Sequence, residues 1–309
     1  MVHNNTMLQR YERNPILKPL REQNWESERV FNCAAVYERH RVHIIYRAQG
    51  ADGISRLGYA SSSDGYNIDE RLDTPIFSPS NPYEEFGCED PRITRFGDNY
   101  VVCYTAYGKT RRWCLADKTR LAQIGMTTIP VNDFLNHRWN WHRRVYSFPN
   151  VDSKNCVLFP ERFGDRYALY HRISPHIWIA YSKILEDWSD SYHRIVMSPR
   201  EDWERTKIGA GAPPMKTEKG WLLFYHGVGK SFVYRLGVAI VDLSNPEQLL
   251  RWKSPILEPT ESYEQGVVFT CGAVRLDGKI FVYYGANDRV IGVATCEESE
   301  LLSLFEHGQ

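Results

Sequence analysis

Five short apolar runs, each ending in tyrosine, recur along the chain and constrain its fold more than any other feature. They read VHIIY, YVVCY, YALY, WLLFY and IFVYY, and they end at Tyr46, Tyr104, Tyr170, Tyr225 and Tyr284, which are 58, 66, 55 and 59 residues apart. Each is followed by a second β-like run (LGYA, QIGM, IWIA, LGVA, IGVA) and preceded by a third (FNCAAV, CEDPRI, CVLFPERF, IGAGAPPM, VVFTCGAV). Turn residues such as Gly97-Asp98-Asn99, Gly164-Asp165 and Asp277-Gly278 separate the strands. A fourth strand per unit is expected in the segments NPILKP, TPIFSP and SPILEP, near residues 15, 75 and 255. Four antiparallel strands repeated five times describe an all-β, five-bladed β-propeller. The recurring Pro-Ile segments suggest that strands from both ends of the chain share a blade. A tandem pair of β-sandwiches is the alternative. No segment sustains a 3.6-residue apolar period, which argues against a TIM barrel or a Rossmann sheet. Residues 1–309 are therefore read as one catalytic domain.

The bulk properties exclude several partners. Lys plus Arg equals Asp plus Glu at 38 each, whereas a protein that grips a nucleic-acid backbone carries a basic surplus. Any bound anion must be held by a local cluster. Seven cysteines (Cys33, Cys88, Cys103, Cys114, Cys156, Cys271, Cys296), an odd number with no C-x-x-C, point to reduced thiols in a cytoplasm and to no zinc site. The N-terminus has no apolar core of a signal peptide, and no stretch approaches a membrane span. Asn4-Asn5-Thr6 is then a chance match to a glycosylation acceptor.

In a propeller the first strand of each blade lines the central channel. Counting back 14 positions from each blade tyrosine gives Asn32, Asp90, Cys156, Gly211 and Thr270. Asp90 stands out, because Glu89-Asp90-Pro91-Arg92 puts an acidic pair in a strand that should prefer apolar residues. A turn aspartate that caps the following Pro-Arg would look the same. Lys154, Arg172, Lys207 and His226 fall at matching ends of the third and fourth blades, with Tyr234 close behind. Singly they read as solvated charges; together they could hold phosphate through charge-assisted hydrogen bonds. Gly209-Ala210-Gly211 is no dinucleotide fingerprint, since prolines follow it in place of a helix. No motif calls for a cofactor or metal.

At these residues the chain resembles glycoside hydrolase family 130, the β-mannoside phosphorylases and related mannosidases. The resemblance runs from about residue 14 to residue 294, carried by Arg29-Val30-Phe31-Asn32, Tyr46-Arg47, the SSSDG of residues 61–65, Glu89-Asp90-Pro91-Arg92, Val157-Leu158-Phe159-Pro160, Lys207-Ile208-Gly209-Ala210-Gly211, Tyr225-His226-Gly227, and Tyr283-Tyr284-Gly285-Ala286 with Asp288. It implies that Asp90 is the catalytic acid. Asn32, Arg47 and Asp288 would grip the mannose, joined by Arg92 and by Cys33, which stands where a serine is common. Lys154, Arg172, Lys207, His226 and Tyr234 would bind phosphate. Lys154 stands where an arginine also occurs, which keeps the charge without the bidentate fork. Between Glu264 and Phe269 the chain reads Gln-Gly-Val-Val, shorter than the family's loop at the acceptor side.

The implied reaction is inverting phosphorolysis. Asp90 protonates the glycosidic oxygen by way of the mannose 3-hydroxyl while inorganic phosphate, a co-substrate and not a cofactor, attacks C1 from the other face. A β-manno-oligosaccharide then yields α-mannose 1-phosphate and a shortened sugar. A homo-oligomer is compatible with the sequence. The rivals are a β-mannosidase with Glu161, Glu264 or Glu89 as its base, a glycosidase acting on furanosides, and a non-catalytic glycan-binding propeller.

Overall fold

The computed structural model describes residues 7–109 and 120–306. Cys114 and the Asn4-Asn5-Thr6 motif lie outside them. Hydrogen-bond ladders sort the strands into five antiparallel meanders. The first comprises Arg29–Glu38, Arg41–Gln49, Ser55–Ser62 and Glu70–Arg71; the second Gly87–Phe96, Asn99–Lys109, Arg120–Pro130 and Val145–Tyr146. One parallel bridge, Ser55 to Gly87, joins these two. The third comprises Lys154–Leu158, Tyr167–Ile173, His176–Ser182 and His193–Met197. The fourth has Lys207–Ala210, Gly220–Val228, Tyr234–Val241 and Leu249–Arg251, with Met215–Thr217 also paired to its second strand. The fifth takes Val268–Leu276, Lys279–Ala286 and Val290–Glu297 from the C-terminal end, and Gln9–Arg10 supplies its outer strand. Arg10 there lies opposite Ala294.

The apolar residues fall into five clusters, each filled by two successive meanders, and one of them joins the fifth to the first. The first strands of all five meet at the centre. Asn32 reaches Asp90, Thr94 reaches the Leu158 carbonyl, and Arg92 reaches the Gly211 carbonyl. A Cβ on Gly211 would strike Thr270, and one on Gly272 would strike Ala35. Tandem sandwiches would not bring these strands together, and the fold is that of a β-propeller. We read the five meanders as its blades.

The three Pro-Ile segments are not the fourth strands. Each follows the fourth strand and makes one antiparallel bridge to a third strand: Leu17 to Ile291, Phe77 to Leu57 and Leu257 to Leu236. Their flanking prolines lack the N–H that would extend the ladder.

In four meanders the landmark tyrosine ends in the same buried triad. Tyr46 donates to Glu26, Tyr104 to Glu84 and Tyr284 to Glu264, while Tyr225 lies beside Glu204, whose charge adds to burial in raising the tyrosine's pKa. Each of these glutamates is fully buried and is also held by an arginine at or beside the outermost strand: Arg71, Arg144, Arg10 and Arg251 respectively. A charge removed from water is tolerated when its partner and hydrogen bonds replace the solvent. The triads therefore tie the second strand, the outer strand and the preceding loop of each blade. Glu204→Ala, which leaves the buried Arg251 without its carboxylate, is expected to cost about 3–5 kcal/mol, read from the midpoint of urea unfolding. Lys216→Ala, which breaks the exposed pair with Glu161, should cost under about 1 kcal/mol.

Candidate active site

Four of the five first strands share a defect that builds the site. Their ladders lose register between Phe31 and Cys33, between Glu89 and Arg92, between Lys154 and Val157, and between Thr270 and Gly272. At three of these bulges a non-glycine residue is left-handed: Asn32 at φ 46°, Asp90 at φ 49° and Asn155 at φ 55°. A bulge turns a side chain out of its alternation, and these three enter one cavity of about 190 Å3. Arg47, Lys154, Arg172, Lys207, Tyr234 and Asp288 line it with them, and Val267 and Phe269 form an apolar wall.

Asp90 is the hub. Its Oδ1 accepts from Asn32 Nδ2 at 2.9 Å and from Arg47 Nη1 at 3.1 Å. Arg47 forks across the acidic pair, with Nη2 2.6 Å from Glu89 Oε1 and Nε 3.0 Å from Ser55 Oγ. Lys154 Nζ stands 3.9 Å from Glu89 Oε2. Burial would raise the Asp90 carboxyl, but Arg47, Lys154, Arg92 and the Asn32 hydrogen bond outweigh it and hold it below the usual carboxylate range. Glu89 goes the other way, pushed up by burial with the Asp90 charge adding to it. Asp288 is raised by burial and then by Asp90.

The cations behave differently. Among the described residues neither Arg172 nor Lys207 has a carboxylate within ion-pair distance. Lys207 lies over the Tyr234 ring at 5.3 Å, and Tyr234 N donates to Gly266 O at 2.9 Å. The short Gln265–Val268 segment thus braces Tyr234 while Val267 faces the cavity.

Three expected site residues do not line the cavity. Cys33 is fully buried in the apolar cluster between the first and fifth meanders, because the residue after the bulge returns to the core side. Arg92 is buried behind Asp90 and bonded to main-chain carbonyls. His226 is fully buried, and burial followed by Arg172, Arg92 and Lys207 drives its pKa well below the usual value, so it is a neutral ring and not a cation. Its Nε2 accepts from Arg172 Nη1 at 3.4 Å, which orients that guanidinium.

Asn155 is the residue that the sequence reading missed. Counting from Tyr170 gives Cys156, which is buried in the core. The ladder shows that His171, not Tyr170, stands opposite the third bulge, because Lys154 pairs with Arg172 and Val157 with Tyr170. The fourth ladder runs without a bulge, with Ala210 paired to Tyr225. The Oδ1 atoms of Asn32 and Asn155 are buried without a partner, a condition that a bound polar ligand relieves. Small residues make room for both amides: a Cβ on Gly285 would come within 2.1 Å of Asn32 Oδ1, and one on Gly209 within 2.8 Å of Asn155 Oδ1. Among the described residues no group of three or more His, Cys, Asp or Glu side chains is placed to hold a metal.

The chain is similar over nearly its whole length to known proteins. The sequence profile of the family described as beta-1,4-mannooligosaccharide phosphorylase matches residues 7–307. A beta-1,2-mannobiose phosphorylase of Thermoanaerobacter sp. (strain X514) is 41% identical, over 95% of this chain and 98% of its own length. A 1,2-beta-oligomannan phosphorylase of the same organism is 39% identical over the same shares. A solved structure from a study of glycoside hydrolases in this family that target beta-1,2 mannosidic linkages in Candida mannan superposes with a TM-score of 0.82, at 26% identity over 94% of each chain.

The third meander lacks the Tyr–Glu–Arg triad. In its place His171 Nδ1 meets Ser153 Oγ at 2.9 Å and His171 Nε2 meets His193 Nδ1 at 3.0 Å, behind the strands that carry Lys154 and Arg172. Burial lowers His171 to about 3 and also lowers His193. A histidine that titrates near 6.5 when unfolded but near 3 when folded leaves the native state short of a proton in acid. Its contribution is intact above about pH 6.5 and is lost as the pH falls from there toward 3. Between pH 7 and pH 5 the group should cost about 2 kcal/mol of stability. His171→Gln should lose about that much less over the same interval, measured by urea unfolding at the two pH values.

Proposed function

Because this chain belongs to glycoside hydrolase family 130, we propose that it is an inverting phosphorylase of β-mannosides that releases α-mannose 1-phosphate. The observation that carries this reading is the pair of cations, Arg172 and Lys207, left without carboxylate partners in the cavity that holds Asp90. With Lys154 and Tyr234 they offer a dianion charge-assisted hydrogen bonds, and the open Asn155 amide sits beside them. On the other side Asn32, Arg47 and Asp288 take the hydroxyls of the mannose. Asp90 gives its proton toward the glycosidic oxygen through the mannose 3-hydroxyl. The C1–O bond breaks as a phosphate oxygen bonds C1 from the opposite face. Phosphate is already anionic at neutral pH, so no protein base is needed.

An inverting hydrolase would need such a base, and the three glutamates considered for it are occupied. Glu161 is on the surface with Lys216, Glu264 is locked in a buried triad with Arg10 and Tyr284, and Glu89 is held by Arg47 on the strand of the acid itself. The relatives at 41% and 39% identity are both named for β-1,2-linked substrates, which favours that linkage here. We read residues 1–309 as one catalytic domain without a metal, working in the cytoplasm. Reduced cysteines fit that compartment, and no helix among the described residues is long and apolar enough to cross a membrane.

The test is the rate on β-1,2-mannobiose as phosphate is titrated from zero. Wild type should need phosphate and make mannose 1-phosphate. Lys207→Ala should raise the KM for phosphate roughly ten- to a hundredfold, since a hydrogen bond to a charged group is worth about 1.5–3 kcal/mol, and leave the KM for the sugar nearly unchanged. Asp90→Asn should lower kcat by about 10²–10⁴ with normal unfolding. Equal turnover without phosphate, with free mannose as product, would replace this reading by the mannosidase.

A further inference from the structure

Arg92 is buried to 2% exposure, does not line the cavity that holds Asp90, and among the described residues has no carboxylate within ion-pair distance. A guanidinium taken out of water without a counter-charge is costly unless every donor is used. Its donors end on three main-chain carbonyls. Nη1 reaches Asp90 O at 2.8 Å, Nε reaches Gly211 O at 2.8 Å, and Nη2 reaches Ala210 O at 3.2 Å. The first belongs to the residue at the bulge two positions away. The others lie across the centre of the molecule, at the end of the strand that begins with Lys207.

Asp90 is left-handed without being glycine. Such a residue costs on the order of 1–3 kcal/mol and persists only where its surroundings over-determine it. Asn32 and Arg47 fix its carboxylate, but neither touches its main chain. Arg92 does, and the same planar fork anchors that main chain to the backbone carrying Lys207. The geometry points to Arg92 as a positioning residue for the acid, one that holds the Asp90 bulge at a fixed distance from the anion-binding strand without touching substrate. The inference rests on the reading of Asp90 as the acid. It needs a fork and not merely a charge, because lysine would reach one carbonyl where arginine reaches three.

The test exploits the leaving group. A sugar leaving from β-1,2-mannobiose needs the proton of the acid; 2,4-dinitrophenolate leaving from 2,4-dinitrophenyl β-mannoside does not. Arg92→Lys and Arg92→Met are assayed on both substrates, with Asp90→Asn beside them and urea unfolding of each. Misplacement of a catalytic group by about 1 Å costs about a hundredfold. Arg92→Met should therefore lose about that much kcat on mannobiose and less than tenfold on the aryl mannoside, with KM for mannobiose nearly unchanged. Arg92→Lys should show the same pattern in milder form. Equal losses on both substrates, a change confined to KM, no change at all, or failure of both variants to fold would each overturn the assignment. The comparison holds whether phosphate or water attacks, so it can fail while the phosphorylase reading stands. Wild-type turnover of mannobiose by Asp90→Asn would instead remove the acid itself.

Discussion

The buried glutamate shared by a tyrosine and an arginine is the interaction on which the rest of the molecule depends. Glu26, Glu84, Glu204 and Glu264 each sit in the loop ahead of a first strand and clasp the outer strand through an arginine, and all but Glu204 also accept a hydrogen bond from a tyrosine of the second strand. A four-stranded meander has no intrinsic reason to hold its inner edge at a fixed angle to its outer edge. A triad that spans the blade supplies one, since moving either edge would strand a desolvated charge. Arg10 has a second consequence. It comes from the N-terminal strand but completes the triad of the last blade, so the closure of the ring is itself an ion pair.

Three of the clasps lie six residues ahead of the bulge in the first strand: Glu26 before Asn32, Glu84 before Asp90 and Glu264 before Thr270. The third blade bulges without such a clasp and the fourth has a clasp without a bulge, so clasp and bulge are separate devices. The bulges deliver one position from each of four blades to the centre, and side-chain chemistry decides its use. Asn32, Asp90 and Asn155 are the polar choices; Thr270 instead satisfies itself on the Tyr283 and Gly272 carbonyls. The third blade, where two histidines replace the triad, is the one that presents Lys154, Asn155 and Arg172 together.

The architecture was legible because its signal is periodic and repeated. The five tyrosine-ended runs became the second strands of the five meanders. The clasps were also visible, as an aromatic residue followed by glutamate at Trp25-Glu26, Tyr83-Glu84, Trp203-Glu204 and Tyr263-Glu264, but two residues out of some sixty are noticed only once their partners are known. Asn155 was missed because a bulge is an insertion, and counting at a fixed offset slips by one wherever the insertion differs. Cys33 and His226 fall outside the cavity lining for a related reason. Sequence position says that a side chain is near the channel, whereas alternation about the bulge decides whether it faces the channel or the core. Arg92 lies beyond such reasoning altogether, since its partners are carbonyls 118 and 119 residues away.

The charge balance of the site raises a mechanistic demand that the geometry itself answers. Asp90 lies among Arg47, Lys154 and Arg92, and these hold it ionised in the free protein. An ionised carboxylate has no proton to give. Two negative charges entering among Lys154, Arg172 and Lys207 oppose that cationic field, and a carboxylate beside a new anion becomes harder to ionise. Binding of the anion and protonation of Asp90 are then linked, and linkage is reciprocal: whatever favours the protonated acid also favours the bound dianion. Arg47 limits the effect, because its fork divides between Asp90 and a Glu89 already pushed toward neutrality by burial. On the proposed reading of Asp90 as the acid, it stays ionised until an anion binds, in a cavity whose cations outnumber the carboxylates that face them.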